Sequence, residues 1–188
     1  MESEYATFFY DSSKTDKCEE VIDYFISWTL RCAETIYKNK QKNKVHLYSK
    51  RILSKLLFGD IYYLEDQEVK SVKTWKQYDR IDVWVEVEIQ NDPNKYALII
   101  ENKLYALLER HQLPDYKEKA LKYYSDKDFK IKFIFLRCAD EFQEIDQLFC
   151  LQNDFEAHLL SEIKKEAITD GLTGNDLFDE FWFYWWRY

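Results

Sequence analysis

The spacing of apolar residues changes period twice along the chain, and the changes divide it into segments. Val21, Ile22, Phe25, Ile26, Cys32, Ala33 and Ile36 recur at the three-and-four spacing of one helical face. Thr15 or Asp16 is placed to cap this first helix, which the pattern carries to about Tyr37. A lysine-rich loop, Lys38 to Lys44, leads to a second helix from about Val45 to Phe58, stopped by Gly59.

There the period falls to two. Val69 to Trp75 reads as a strand. From Asp79 to Gln90, Ile81, Val83, Val85, Val87 and Ile89 form one face, and Asp82, Trp84, Glu86 and Glu88 the other. Asn91-Asp92-Pro93-Asn94 is turn chemistry, and Tyr96 to Lys103 returns as a third strand. Residues 79–103 are therefore predicted to form a long hairpin with position 82 opposite about 103. A helix from about Glu109 to Tyr124 follows, with Pro114 tolerable only in its first turn. Ile131 to Leu136 is an apolar strand suited to the middle of a sheet. Helical segments near 141–149 and 153–168 come next, then an aromatic tail. This order predicts an α/β/α sandwich, a mixed sheet of about four strands with helices on both faces. The chain reads as one domain over 1–188, its core at about 16–136 and a helical and aromatic extension over 139–188.

Composition narrows the chemistry. With 46% hydrophobic residues the chain can bury a core, but it holds only 3 glycines where average usage would give roughly 13. Glycines at 59, 171 and 174 alone cannot build a phosphate-cradling loop or a dinucleotide fingerprint, which excludes P-loop NTPases and Rossmann dehydrogenases. Cys18, Cys32, Cys138 and Cys150 form no CxxC pair and share no ligand spacing with His46, His111 or His158, so they read as reduced packing residues. His46 and His158 fall in helical segments without evident partners, and His111 reads as a surface residue beside Gln112. No basic leader and no run of 18 apolar residues is present, so no membrane partner and a cytoplasmic location are expected.

The net charge of −8 argues against indiscriminate nucleic-acid binding, but it is unevenly spread. Residues 139–188 carry 12 acids and 3 bases, whereas 35–59 carry seven lysines and arginines and no acid. The plain reading of that basic stretch is a solvated face. Were it beside an active site, Lys42, Lys44, Lys50 and Arg51 would track a phosphate backbone.

The densest candidate chemistry lies in 78–116. Glu101 and Lys103, two apart on a strand, point to one side, and Asp82 comes within cross-strand reach. Two carboxylates suit Mg²⁺, and a lysine beside them can orient water or offset charge on a phosphoryl group. Charged residues ending the buried run Ile99-Ile100 require a reason beyond folding. A plain cross-strand ion pair between Asp82 and Lys103 would leave Glu101 unexplained. Glu86 and Glu88 extend the polar face toward the hairpin tip and read as solvated.

Arg80-Ile81-Asp82, with 18 residues between Asp82 and Glu101, then Glu101-Asn102-Lys103, resembles the PD-(D/E)XK nuclease superfamily, with Ile81 in place of the proline. Gln112 to Tyr116 resembles the QxxxY motif of RecB-like members, and Phe25 to Leu30 the first helix of a bacterial subfamily. The resemblance covers about 16–136. It implies a restriction-endonuclease-like fold and one or two Mg²⁺ or Mn²⁺ ions held by Asp82, Glu101 and the backbone carbonyl of Asn102. It also implies that Lys103 positions the attacking water while Gln112 and Tyr116 buttress the site. A glutamate of the first helix joins the metal site in that subfamily; family register selects Glu20, and the helical wheel puts Glu19 nearer the buried face.

The implied function is metal-dependent phosphodiester hydrolysis in nucleic acid, DNA above all, in a bacterial defence or DNA-processing setting. The alternative is a catalytically inactive member of the fold that serves as a binding or regulatory partner. Seven of the eight residues 181–188 are aromatic, which suggests a core-packed terminal helix that also supports self-association or a protein partner.

Overall fold

The alternation over 81–103 is realised as two paired strands in a computed structural model that describes residues 17–39, 43–139 and 141–184. Strands β1 (Val69–Tyr78), β2 (Ile81–Ile89) and β3 (Lys95–Lys103) form an antiparallel meander. Strands β4 (Phe129–Arg137) and β5 (Glu156–Leu159) add to it in parallel, giving the order β1-β2-β3-β4-β5. The sheet thus has five strands rather than about four. The extra one lies inside the segment predicted to be helical over 153–168, where β5 runs directly into helix α5 (Leu160–Ala167). A four-residue strand offers too short an alternation to outweigh the helical pattern that follows it. His158 accordingly sits on a strand, not a helix.

Helices α1 (Lys17–Arg31), α2 (Asn43–Phe58) and α5 cover one face of the sheet. Their side chains pack on Val83, Val85, Val87, Leu98, Ile100, Ile134 and Leu136. Helices α3 (Gln112–Tyr123) and α4 (Glu144–Gln152) lie on the side of a second cluster, where Leu113, Tyr116, Ala120 and Cys150 meet Trp84, Ala97, Ile99, Phe133 and Phe135. Two apolar cores on opposite faces make the predicted sandwich, and Pro114 indeed falls in the first turn of α3.

The first helix stops at Arg31, earlier than its pattern suggested; Ile36 is 60% exposed, and a short 3₁₀ turn spans Thr35–Tyr37. Glu34 breaks out in an extended conformation and its carboxylate accepts the Val72 N–H at 2.8 Å, which occupies a donor on the edge strand β1. The predicted caps Thr15 and Asp16 lie outside the described residues. A short helix α6 (Asp176–Asp179) and a π turn (Glu180–Tyr184) bring Phe181 and Trp182 back to α1. Phe181 stacks on Phe25 with centroids 4.6 Å apart, and Trp182 Nε1 donates to Thr29 Oγ1 at 3.1 Å. These two rings are core; residues 185–188 lie outside the description. Cys32, Cys138 and Cys150 are buried in the core, and the side chain of Cys18 lies outside the description too. Among the described residues, no helix is long and apolar enough to cross a membrane.

Candidate active site

The register of the β2–β3 hairpin builds the site. Val83 faces Ile100, so Asp82 stands one step on, opposite Glu101 rather than 103. The turn begins one residue earlier than expected, with Asn91 in the left-handed region at φ 64°. Asp92 Oδ1 closes it by accepting the Asn94 N–H at 2.9 Å. A slide of two residues preserves which side chains share a face, so Asp82, Glu101 and Lys103 still converge.

Glu101 is the centre of this group and is fully buried. Its Oε1 accepts from Lys103 Nζ at 2.7 Å and from Gln112 Nε2 at 2.5 Å, and Gln112 Nε2 also donates to the Tyr116 hydroxyl at 3.0 Å. Gln112 and Tyr116 lie one turn apart on α3, whose apolar face seats them against the sheet. Among the described residues, Glu101 Oε2 has no hydrogen-bond partner. Burial, then the neighbouring Asp82 charge, pushes its carboxyl well above the usual range, with Lys103 opposing both. Burial works to lower the Lys103 ammonium, but Glu101 outweighs it and the net shift is upward, so Lys103 stays charged. Burial and the Glu101 charge push Tyr116 up to about 12, so its hydroxyl keeps its proton at neutral pH.

On the opposite face of the same strands a second acidic group appears that the sequence reading did not include. Asp23 of α1 is 1% exposed; it accepts from the Asn102 amide and, at 3.2 Å, from Gln77 Nε2. Gln77 Nε2 lies equally 3.2 Å from Asp82 Oδ1, while Asp82 Oδ2 accepts the Asn102 backbone N–H at 2.9 Å. One glutamine therefore ties the acid of the helix to the acid of the strand. Gln77 holds this place at φ 52°, and the turn residues Asp79 and Arg80 follow at φ 53° and 70°. Two consecutive positive φ values are what a two-residue hairpin turn between twisted strands demands, usually met by Asn-Gly. Spending them on Asp-Arg next to Asp82 marks strain of the kind stored at functional sites. The helix turns Glu20 to solvent, and it is Glu19 whose Oε1 accepts the Leu104 N–H at 2.8 Å, just past Lys103. The register choice of Glu20 thus gives way to the helical-wheel choice. Glu19 and Asp23 are four apart; a carboxylate flanked by Val21, Ile22 and Phe25 was the available signal.

Asp23 makes a stability prediction. Burial first, then the Asp82 charge, raises its carboxyl from 3.8 to about 8. The unfolded chain releases this proton in the ordinary carboxylate range, so the folded state binds more protons in between. Its stabilising share is complete at low pH and is lost as pH rises toward the folded value. Asp23→Asn cannot ionise. In metal-free protein its melting temperature is expected to gain on wild type by at least about 4 °C between about pH 6 and about pH 9. Thermal melts at the two pH values check this, and an unchanged difference would mean that Asp23 does not titrate there.

The basic stretch is placed elsewhere. Lys44 Nζ donates to the Asp170 and Leu172 carbonyls, Lys50 Nζ to the Glu65 carbonyl, and Arg51 to Thr169 and Asp170. These three brace loops around α2, and Lys42 lies outside the described residues. The cations that do border the site are Arg80 and Lys119, which line a cleft of about 300 Å³ with Lys103, His111, Gln112 and Tyr116. Lys119 extends the α3 series Gln112, Tyr116, so its helical spacing was the signal to follow. Glu86 accepts from Tyr124 and Glu88 pairs with Lys70, apart from this group. His46 is a core residue 3.0 Å from the Cys32 carbonyl, and His111 faces Glu109 at the surface.

A sheet of this order whose second and third strands carry an acid and an ExK element, followed by a QxxxY helix, agrees with the family comparison. The model of the PD-(D/E)XK nuclease superfamily matches residues 5–169. The chain belongs to that superfamily. No curated protein and no solved structure matches it. PD-(D/E)XK nucleases typically use divalent metals, and the donors here fit one. Among the described residues no three Asp, Glu, His or Cys side chains form a complete cage. Mg²⁺ does not require one, since it takes one or two carboxylates and fills its shell with water and phosphate oxygens. Asp82 and Glu101 would supply the carboxylates, Glu101 Oε2 has no hydrogen-bond partner among the described residues, and the repulsion between the two acids is what a cation would relieve.

Proposed function

We propose that this PD-(D/E)XK protein is a metal-dependent nuclease that hydrolyses phosphodiester bonds in DNA. The observation that carries the reading is Glu101, buried opposite Asp82, with Oε2 unpartnered and Lys103 Nζ 2.7 Å from Oε1. Asp82, Glu101 and the Asn102 carbonyl would hold Mg²⁺ or Mn²⁺. The Asn102 N–H faces Asp82, and in extended backbone the carbonyl of the same residue faces the same neighbour. When bound, the ion would supply positive charge against the anion that grows on the phosphoryl oxygens.

The rest of the work falls to side chains. Lys103, held charged by Glu101, orients the attacking water and donates to a non-bridging oxygen. Gln112 fixes the Glu101 carboxylate in one rotamer and is itself set by Tyr116. Arg80 and Lys119 border the cleft and offset the flanking phosphates. Water oxygen bonds to phosphorus, one ester bond breaks, and the products are a phosphomonoester end and a hydroxyl end.

Calorimetric titration of Mg²⁺ and Mn²⁺, followed by supercoiled plasmid added to the same samples, tests the reading. Ion binding with nicking that EDTA abolishes is expected. Absence of both would favour a member of the superfamily that binds partners without catalysis.

A further inference from the structure

Phe181 and Trp182 of the aromatic tail are buried in the core, and aromatic surface also occurs beside the candidate active site. Tyr78 at the end of β1, Trp84 on β2 and Tyr123 at the end of α3 stand mutually edge to face, with centroids 5.2 to 5.9 Å apart. Trp84 is a fixed floor, 2% exposed, its indole N–H held by the Tyr78 carbonyl at 3.0 Å. Tyr78 is 49% exposed and presents ring surface to solvent. The three rings wall a cleft of about 530 Å³, within the ~300–1,000 Å³ range of small-ligand sites. Asp115 and Lys119 line both this cleft and the one at Lys103, so the two adjoin.

We infer that this cleft receives one unpaired base of a single-stranded nucleic acid while the adjoining phosphate lies at Lys103. The inference rests on the nuclease reading and names its substrate form. Its lining is mixed in the way a nucleotide is. The half-exposed Tyr78 ring, backed by Trp84 and Tyr123, offers surface for base stacking, which is indifferent to sequence because every base has a π-face. Asp79, Asp115 and Glu118 repel phosphate from the cleft but accept N–H groups from base edges. Lys119 and Lys122 supply charge for the backbone entering it. A duplex cannot use the cleft without extruding a base, since stacking covers its base faces and pairing its edges. The strained Gln77, Asp79 and Arg80 flank Tyr78 and lead straight to Asp82, so one turn positions the ring and the acid together.

Fluorescence anisotropy in EDTA at low salt tests this without cleavage. The probes are a labelled single strand of about twelve nucleotides, the same strand with abasic sites, and the corresponding duplex. The intact single strand is expected to bind wild type about 5- to 100-fold more tightly than the abasic strand. Tyr78→Ala should bring the intact strand down toward the abasic value, whereas Tyr78→Phe, which keeps the ring, should not. Equal binding of intact and abasic strands, tighter binding of the duplex, or no binding of any probe overturns the inference, and the wild-type comparison needs no variant to fold. Plasmid and oligonucleotide cleavage measured in parallel with Mg²⁺ separates the two readings. Nicking together with equal abasic binding leaves the nuclease and removes the base cleft. Stacking-dependent binding without nicking leaves the cleft and removes the nuclease.

Discussion

Glu101→Gln is expected to abolish divalent-ion binding and to lower plasmid nicking by at least about 10³-fold. The amide is nearly isosteric, so the core around position 101 keeps its shape. What changes is charge: Oε1 no longer anchors the Lys103 ammonium as an anion, and no carboxylate stands opposite Asp82. Lys103→Met makes the informative contrast. It removes the ammonium and leaves both carboxylates, so nicking should fall by about 10²- to 10³-fold while ion binding survives. Calorimetry and nicking on both variants separate holding the ion from acting on the phosphate. Wild-type nicking by Glu101→Gln would remove this cluster from consideration as the reaction centre.

Asp146→Ala is expected to lower thermal stability by about 6–20 °C, the consequence of roughly 3–5 kcal/mol at 2–4 °C each. Arg137 and Asp146 are both fully buried, joined by Nε to Oδ2 at 2.8 Å and by Nη2 to Oδ1 at 2.6 Å. The other guanidinium nitrogen donates to the Ala106 carbonyl at 3.0 Å, in the loop that leaves β3 just after Lys103. Removing the acid strands a cation in the interior, which costs far more than the pair contributes. Arg137→Met combined with Asp146→Leu should therefore recover part of the loss. Differential scanning calorimetry decides it, and a fall below about 2 °C would mean that water reaches Arg137. Since this pair ties β4 and α4 to the border of the cleft at Lys103, the single variant should also lose nicking at temperatures below its melt.

Local patterns were the most legible part of this protein. Alternation at 81–89 identified the β2 face that packs on α1 and α2, and Glu101 and Lys103 had to share a side because a strand repeats every two residues. Element ends were less legible. Glu34 left the helical path to serve β1, and the four residues of β5 acquired strand geometry only by pairing with β4. In each case a partner far along the chain decided, and no local preference encodes such a partner.

The sequence by itself determined the order of helices and strands as far as β4, the exclusion of glycine-loop nucleotide chemistry, and the acid, ExK and QxxxY residues available for a site. The tertiary structure decided which of them meet. It set Asp82 opposite Glu101, brought Asp23 and Glu19 of α1 to the same strand ends, and turned Glu20 away. It also spent the basic stretch on carbonyls around α2 and put Arg80 and Lys119 at the cleft instead. The physical reason is the range of the forces involved. Periodicity is fixed by backbone geometry over a few residues, whereas neighbours across a sheet or between layers are chosen by burial, register and charge summed over the whole fold.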